Sequence, residues 1–288
     1  MIQEHPTVLA ANGYPPKKHL LRDLRMSLVF EDDVCATICM PVVPEVCSDI
    51  GAIHPGVLAI LTDVLGGFLA MKSFLPDWMA TANLSLHTTG RISCGMVSAT
   101  GHMVRSGRTT ATVSAELFSD DGNGQAVGSA MISYAKIERA RANAWNGIHK
   151  ARRIDFKWPD GSSGLERHVL AQTGLRDVDK HPDDTVLEMS EYVRNSFGSL
   201  QGGMIALMAD VAGQSAARKA AGHRLTTADL VIHYLSPGRF GPFTTSVRVL
   251  RIDKFSALCR IEIKDTGDNQ RLIAVAMHTA VFTGDPLT

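Results

Sequence analysis

The sequence predicts an α+β protein made of two fused copies of one unit, each an antiparallel sheet wrapped round a central helix. Three observations carry this expectation. A glycine-rich motif recurs at a fixed offset, an apolar run of helical length follows each occurrence, and alternating strand-like runs follow each helix.

The 288 residues are long for one domain, whereas two units of roughly 140 residues each sit near the usual domain size. With 45% hydrophobic and 20% charged residues, each half has enough apolar chain for its own core, which excludes a disordered or collagen-like chain.

The repeat is read directly. The first copy runs Gly51-Ala-Ile-His54-Pro55-Gly56 and continues apolar to Thr62-Asp63; the second runs Gly198-Ser-Leu-Gln201-Gly202-Gly203 and continues to Ala209-Asp210, each position 147 residues on. Downstream the offset is 146. It aligns Thr81-Ala82-Asn83-Leu84 with Thr227-Ala228-Asp229-Leu230, His87 with His233, Arg105 with Arg251 and Arg108 with Lys254. The first unit is expected to run from 18 to 138 and the second from 165 to 285. A linker at 139–164 lies between them, holding Arg139, Arg141, Arg152, Arg153, Lys157 and the turn-like Pro159-Asp-Gly-Ser-Ser-Gly164.

Within each unit the order is strand, helix, then several strands. Val34 to Val46 and Thr185 to Val193 are rich in β-branched and apolar residues, which suits strands ending before the motif. Helices are expected from Pro55 to about Phe74 and from Gly203 to about Ala221, where breakers are absent and the apolar pattern is helical. Runs such as Thr109 to Leu117 and Ala257 to Ile263 alternate and lead into Asp- and Gly-rich turns, the pattern of antiparallel strands. The first helix is apolar on nearly all sides, so it must be surrounded rather than laid on a surface.

Charge and cysteine content bound the setting. Lysine plus arginine equals aspartate plus glutamate at 29 each, so no net field draws the chain to nucleic acid or an anionic membrane, and neither partner is expected. Five cysteines without a paired C-x-x-C pattern argue against a disulfide framework and a zinc site, and a reducing cytoplasm fits best. Met1 to Pro16 has no sustained apolar run and does not read as a secretory signal. Gly56 to Leu75 is apolar enough to raise a membrane question, but it contains Asp63, which costs roughly 2.5 to 3.5 kcal/mol for insertion. It reads as a buried helix.

On these residues the chain resembles the hotdog-fold thioesterase superfamily, in particular its phenylacetate-pathway branch. That branch's motif, Asn-x-x-Gly-x-x-His/Gln-Gly-Gly, opens an apolar helix with a Leu-Ala-Asp-like end. The second copy matches with Asn195, Gly198, Gln201, Gly202, Gly203 and Asp210. The first has Ser48 at the asparagine position and keeps Gly51, His54, Gly56 and Asp63, but carries Pro55 at the first glycine of the pair. The resemblance covers both copies. It implies hydrolysis of acyl-CoA to free acid and CoA with water as second substrate, no metal, no cofactor beyond the CoA of the substrate, and further association of chains into homo-oligomers.

The chemistry fits these residues. Attack on a thioester builds negative charge on the carbonyl oxygen, and free N–H groups at a helix start are preorganised to receive it. Gly202 is placed for that, and resemblance implies the role. A carboxylate must activate water or attack directly, and Asp63 and Asp210 are the candidates. Gly202 and Asp210 lie eight residues apart, about 12 Å along a helix, too far to serve one carbonyl. Each helix start is therefore expected beside the acid of the other copy.

Two unequal sites follow. Site one combines Gly202, Gln201 and Asn195 with Asp63. Site two combines His54, Pro55 and Gly56 with Asp210, and proline has no N–H to donate. Site one is expected to be the better catalyst. Arg105 and Arg108, with weaker counterparts Arg251 and Lys254, are the candidates for the CoA phosphates, since arginine presents forked, permanent charge.

Plainer readings stand beside these. A lone helix carboxylate is usually satisfied by its neighbours, Gln201 and His54 could cap their helices, and Pro55 is at home in a first turn. His87 and His233 read as strand-packing residues. Within the fold, a hydratase or dehydratase is a rival, though neither unit has a His-x-Asp arrangement near a helix start. A non-catalytic acyl-CoA binding or sensing protein is a rival of another class.

Overall fold

The computed structural model describes residues 14–75, 77–89, 91–120, 126–137, 153–155, 164–178 and 181–286. The first copy begins with helix α1 (Leu20–Asp23), strands β1 (Ser27–Phe30) and β2 (Cys35–Pro41) and a single 3-10 turn at Pro44–Val46. Helix α2 (Pro55–Phe74) and strands β3 (Trp78–Thr88), β4 (Met96–Ser106), β5 (Thr110–Ser119) and β6 (Ala126–Ile137) follow. A short strand β7 (Arg153–Asp155) comes next. The second copy repeats the order with α3 (Val169–Thr173), β8 (Arg176–Val178), β9 (His181–Leu187), α4 (Gly202–Ala221), β10 (His223–Tyr234), β11 (Phe243–Ile252), β12 (Ser256–Asp265) and β13 (Arg271–Pro286).

The thirteen strands among the described residues form one antiparallel sheet, in the order β7-β1-β2-β4-β5-β6-β3-β10-β13-β12-β11-β9-β8. The halves join where β3 pairs with β10, Ser85 facing Val231. Those two positions are repeat equivalents, so a pseudo-two-fold axis runs between them. His87 faces Asp229 across the joint at 2.6 Å, and His233 faces Asn83 at the same distance. As expected from the sequence, both histidines pack across strands.

Each half curls round its helix. Alternate residues point inward, as with Ala36, Ile38 and Met40 in β2 and Ala257, Cys259, Ile261 and Ile263 in β12. Helix α2 is long and apolar enough to cross a membrane, but it is the core: every residue from Pro55 to Gly66 is buried. Its start is set by Pro55, suited to a first turn. Both helix spans match the sequence expectation to within a residue.

Helices α2 and α4 pack together unusually closely. A Cβ on Gly56 would fall 2.7 Å from Cα of Leu207, and one on Gly203 the same distance from Cα of Ile60. These are equivalent positions, so glycine at each helix start is required by the backbone of the twin helix. The contact brings the start of each helix beside the middle of the other.

Two expectations need adjusting. The first strand ends at Pro41, short of Val46, because Pro41 and Pro44 cannot continue a ladder and the chain turns into a 3-10 segment instead. The second expected strand also ends early, at Leu187 rather than Val193. Within the linker, Arg153–Asp155 adds to the edge of β1. Arg139, Arg141, Arg152, Lys157 and Pro159 fall outside the described residues.

One cross-tie between the copies has no local sign in the chain. His19 caps α1 by accepting from the N–H of Leu21, and its Nε2 lies 2.9 Å from the carbonyl of Arg194 in the other copy. His168 caps α3 in the same way and reaches the carbonyl of Cys47 at 2.8 Å. Each copy thus holds the loop that precedes the other's central helix.

Candidate active site

At site one, Asp63 projects from the third turn of α2 towards the start of α4. A Cβ on Gly202 would lie 2.9 Å from Oδ2 of Asp63 and 3.0 Å from Oγ1 of Thr81, so glycine is the residue that leaves room between helix start and acid. Oδ1 accepts from the Thr81 hydroxyl at 2.7 Å, and the N–H of Gly203 also donates to the carboxylate. Gly203 is thereby spent, and Gly202, first residue of α4, is the helix-start amide with no acceptor inside its own helix.

Two tyrosines brace this geometry. The Tyr134 hydroxyl donates to the main-chain carbonyl of Asp63 at 2.8 Å, and that of Tyr234 to the carbonyl of Gly202 at 3.0 Å. Burial holds both phenols well above their ordinary values, with the charge of Asp63 adding to it. Burial also pushes the Asp63 carboxyl up to about 6, against the lowering effect of Thr81, Gly203 and Tyr134. A carboxylate with that value is a better base at neutral pH than an ordinary one.

Two cavities flank Asp63. One, about 330 Å³, is bordered by Thr81, Tyr134, Gly202, Tyr234, Ser236 and Gly238. The other, about 160 Å³, is apolar, with Val64, Phe68, Met71, Leu75 and Trp78 in its wall. Asp63, Gly67, Met79, Asn195, Phe197 and Gln201 border both. Trp78 of one copy leans on Phe197 of the other, ring centres 5.4 Å apart.

Gln201 does not cap α4 as the plainer reading expected; its Oε1 is buried with no hydrogen-bond partner among the described residues. It borders both cavities and is free to orient a bound group. Asn195 is present but committed elsewhere. Its amide nitrogen donates to Ser199 Oγ at 2.8 Å and its oxygen accepts from the N–H groups of Phe197 and Ser199. It shapes the loop leading into α4 rather than pointing a free group at Asp63.

Site two has the same backbone and a different outcome. Asp210 meets the start of α2, where the N–H of Gly56 donates to its Oδ2 at 2.9 Å. Gln214 Nε2 donates to its Oδ1 at 3.0 Å, and the Thr227 hydroxyl donates to the same oxygen. The Thr227 oxygen then accepts from Gln214 and from Nε2 of His278. Burial opposes ionisation of Asp210, but His278, His54 and Thr227 outweigh it and hold the carboxyl below its ordinary value. Asp210 is fully buried and borders neither cavity at Asp63, nor the cavity of about 570 Å³ that His54, Gln214 and Arg218 border on its own side.

Pro55 occupies the position of Gly202, so no amide is on offer at the first helical residue. His54 makes no capping bond; its ring is buried, both nitrogens lack hydrogen-bond partners among the described residues, and Nδ1 stands 3.9 Å from Asp210. Burial, partly offset by Asp210, lowers its pKa.

Arg105, Arg108, Arg251 and Lys254 are all exposed at the ends of the β4–β5 and β11–β12 hairpins and border neither cavity at Asp63. Among the described residues, no group of three or more His, Cys, Asp or Glu is arranged to hold a metal.

The sequence reasoning missed Thr81, Tyr134, Tyr234, Gly67 and Gln214 as site residues. Thr81 had a signal, since it recurs as Thr227. The tyrosines had a subtler one: their repeat equivalents are Ala280 and Thr88, so both aromatics mark the same site.

The comparisons with known proteins bear on the family and the fold. The sequence model of the thioesterase superfamily matches twice, at residues 50–126 and 197–271, together more than half of the chain. No curated protein matches the sequence. Among solved structures, the tesB protein of Mycobacterium avium subsp. paratuberculosis superposes with a TM-score of 0.61 at 11% identity, covering 91% of this chain and 97% of its own. An acyl-ACP thioesterase from Bacteroides thetaiotaomicron gives 0.56 at 14%, covering 85% and 97%. A hot dog fold protein of unknown function from Alicyclobacillus acidocaldarius gives 0.56 at 11%, covering 90% and 96%. At these identities the structures speak for the fold: two hotdog units in one chain.

Proposed function

The chain belongs to the thioesterase superfamily, whose chemistry is thioester hydrolysis, and on that premise we propose that it cleaves acyl-CoA to free acid and CoA at the junction of its two copies. The observation that carries this reading is the approach of Asp63, on the central helix of the first copy, to Gly202 at the start of the central helix of the second.

The acyl carbonyl oxygen points at the N–H of Gly202, which takes up the charge of the tetrahedral intermediate. Asp63 removes a proton from water as the water oxygen bonds to the carbonyl carbon. The carbon–sulfur bond then breaks, the thiolate leaves with that proton, and the acid is released. Gln201 orients the water or the carbonyl. Direct attack by Asp63, giving an anhydride that water opens, uses the same geometry and the same balance of atoms.

Only site one is active in this proposal. Site two lacks the amide of the first helical residue, where Pro55 stands, and its carboxylate is already occupied by the donors Gly56, Gln214 and Thr227. Arg105 and Arg108, helped by Arg251 and Lys254, attract the CoA phosphates from the exposed hairpin ends. The reaction is placed in the cytoplasm, where thiols such as the five free cysteines persist. Exposed Leu250, Ile252 and Phe255 support association of chains into homo-oligomers.

Release of free thiol from a panel of acyl-CoAs tests the reading. Turnover is expected with saturated acyl groups. Binding without turnover would make the protein a sensor, and consumption of enoyl esters alone would make it a hydratase.

A further inference from the structure

Gly67 and Gln214 hold the same place in the two copies, 147 residues apart and four residues beyond Asp63 and Asp210. What stands there differs completely. In the second copy the Gln214 amide donates to Asp210 at 3.0 Å and to Thr227 at 2.9 Å, and Asp210 is sealed from solvent. In the first copy there is no side chain, and the backbone at Gly67 borders both cavities beside Asp63.

We propose that Gly67 is the specificity-determining residue of the site: it keeps an acyl chamber sized for a six-carbon chain or a single ring open to Asp63, while in the twin Gln214 stands between Asp210 and the equivalent cavity of about 570 Å³. This rests on reading the Asp63 site as the thioester site. The chamber is the apolar cavity of about 160 Å³ behind Asp63. Apolar cavities of about 150 Å³ accept benzene. Phe68 and Trp78 offer ring faces and edges, and Met71 and Met79 offer adaptable thioether surface. A thioester carbonyl held at Gly202 has this chamber on one side and the larger, more polar cavity on the other. The acyl group and the thiol arm therefore divide between them.

The protein tolerates change at this position. A Cβ on Gly67 would meet only Met79 Cε, at an ordinary 3.5 Å. Gly67→Ala therefore fits without displacing the fold, and Gly67→Leu fills the chamber without supplying a donor to Asp63.

The test measures kcat/KM for the full-length protein and both variants with acetyl-, hexanoyl-, benzoyl- and palmitoyl-CoA, with thermal melting as a check on folding. The parent is expected to favour hexanoyl or benzoyl over both acetyl and palmitoyl by about tenfold or more. Gly67→Leu should cut hexanoyl and benzoyl turnover by about tenfold or more while changing acetyl turnover by less than about threefold. Gly67→Ala should fall between. A parent that cleaves all four esters alike, or variants that lose all four alike, would overturn the chamber while leaving the hydrolase intact. A parent that cleaves none of them would overturn the proposed function and this inference with it.

Discussion

The hydroxyl of Thr81 donates to Oδ1 of Asp63 across 2.7 Å, fixing one carboxylate oxygen and turning the other towards the start of α4. Because a donor stabilises the ionised form, Thr81 opposes the upward push of burial on this acid. Thr81→Val should move the acidic limb of the kcat/KM profile to higher pH and lower turnover at pH 7 several-fold. An unmoved limb would detach Thr81 from the acid's ionisation.

The two aspartates should behave in opposite ways. Asp63→Asn removes the base and is expected to lower kcat by roughly 10² to 10⁴-fold. Asp210→Asn should leave activity within a few-fold of the parent and instead lower the melting temperature, because it disturbs a buried network of donors. Equal activity losses from both would reject the asymmetry between the sites.

The pH dependence has a definite sign. With Asp63 at about 6, kcat/KM should fall as pH drops through about 6. Stability runs the other way for this group: its folded value lies above the unfolded one, so the native state holds the extra proton. That contribution is complete below about pH 4 and is lost as pH rises through about 6, and it corresponds to about 3 kcal/mol. The melting temperature of Asp63→Asn minus that of the parent should therefore increase between pH 4 and 7. A flat difference would contradict the raised value.

Gln214 is expected to matter for stability and not for turnover. Replacing it with leucine keeps much of the volume but withdraws a donor from a buried carboxylate, a loss of about 1 to 3 kcal/mol. Chemical denaturation should show that loss while the Asp63 site keeps its kcat within about twofold.

Arg108→Ala should raise KM for CoA esters with little effect on short thioesters that lack the nucleotide. If both classes respond alike, this arginine acts on something other than phosphate.

Much of this was legible in the sequence, for physical reasons. An apolar helix that opens on proline declares itself through composition, and α2 begins and ends where the sequence expects. The motif also exposed the inequality of Pro55 and Gly202, because a missing N–H is a property of residue type alone. Hidden were the contacts made between distant strands and helices. His278 and Gln214 close over Asp210 from 68 and 4 residues away, and nothing local in β13 says that its histidine will share a threonine with an acid on α4. Asn195 shows the reverse case: it fits the motif, yet its amide turned out to be absorbed by its own loop.

The continuous sheet across β3 and β10 has a further consequence. In a symmetric pair of separate chains, any substitution appears at both places at once, so a glutamine that seals one acid would seal its mate as well. Joining the copies in one polypeptide removes that coupling. One half can harden into a support, its carboxylate converted to internal scaffolding, while the acid of the other stays open and reactive.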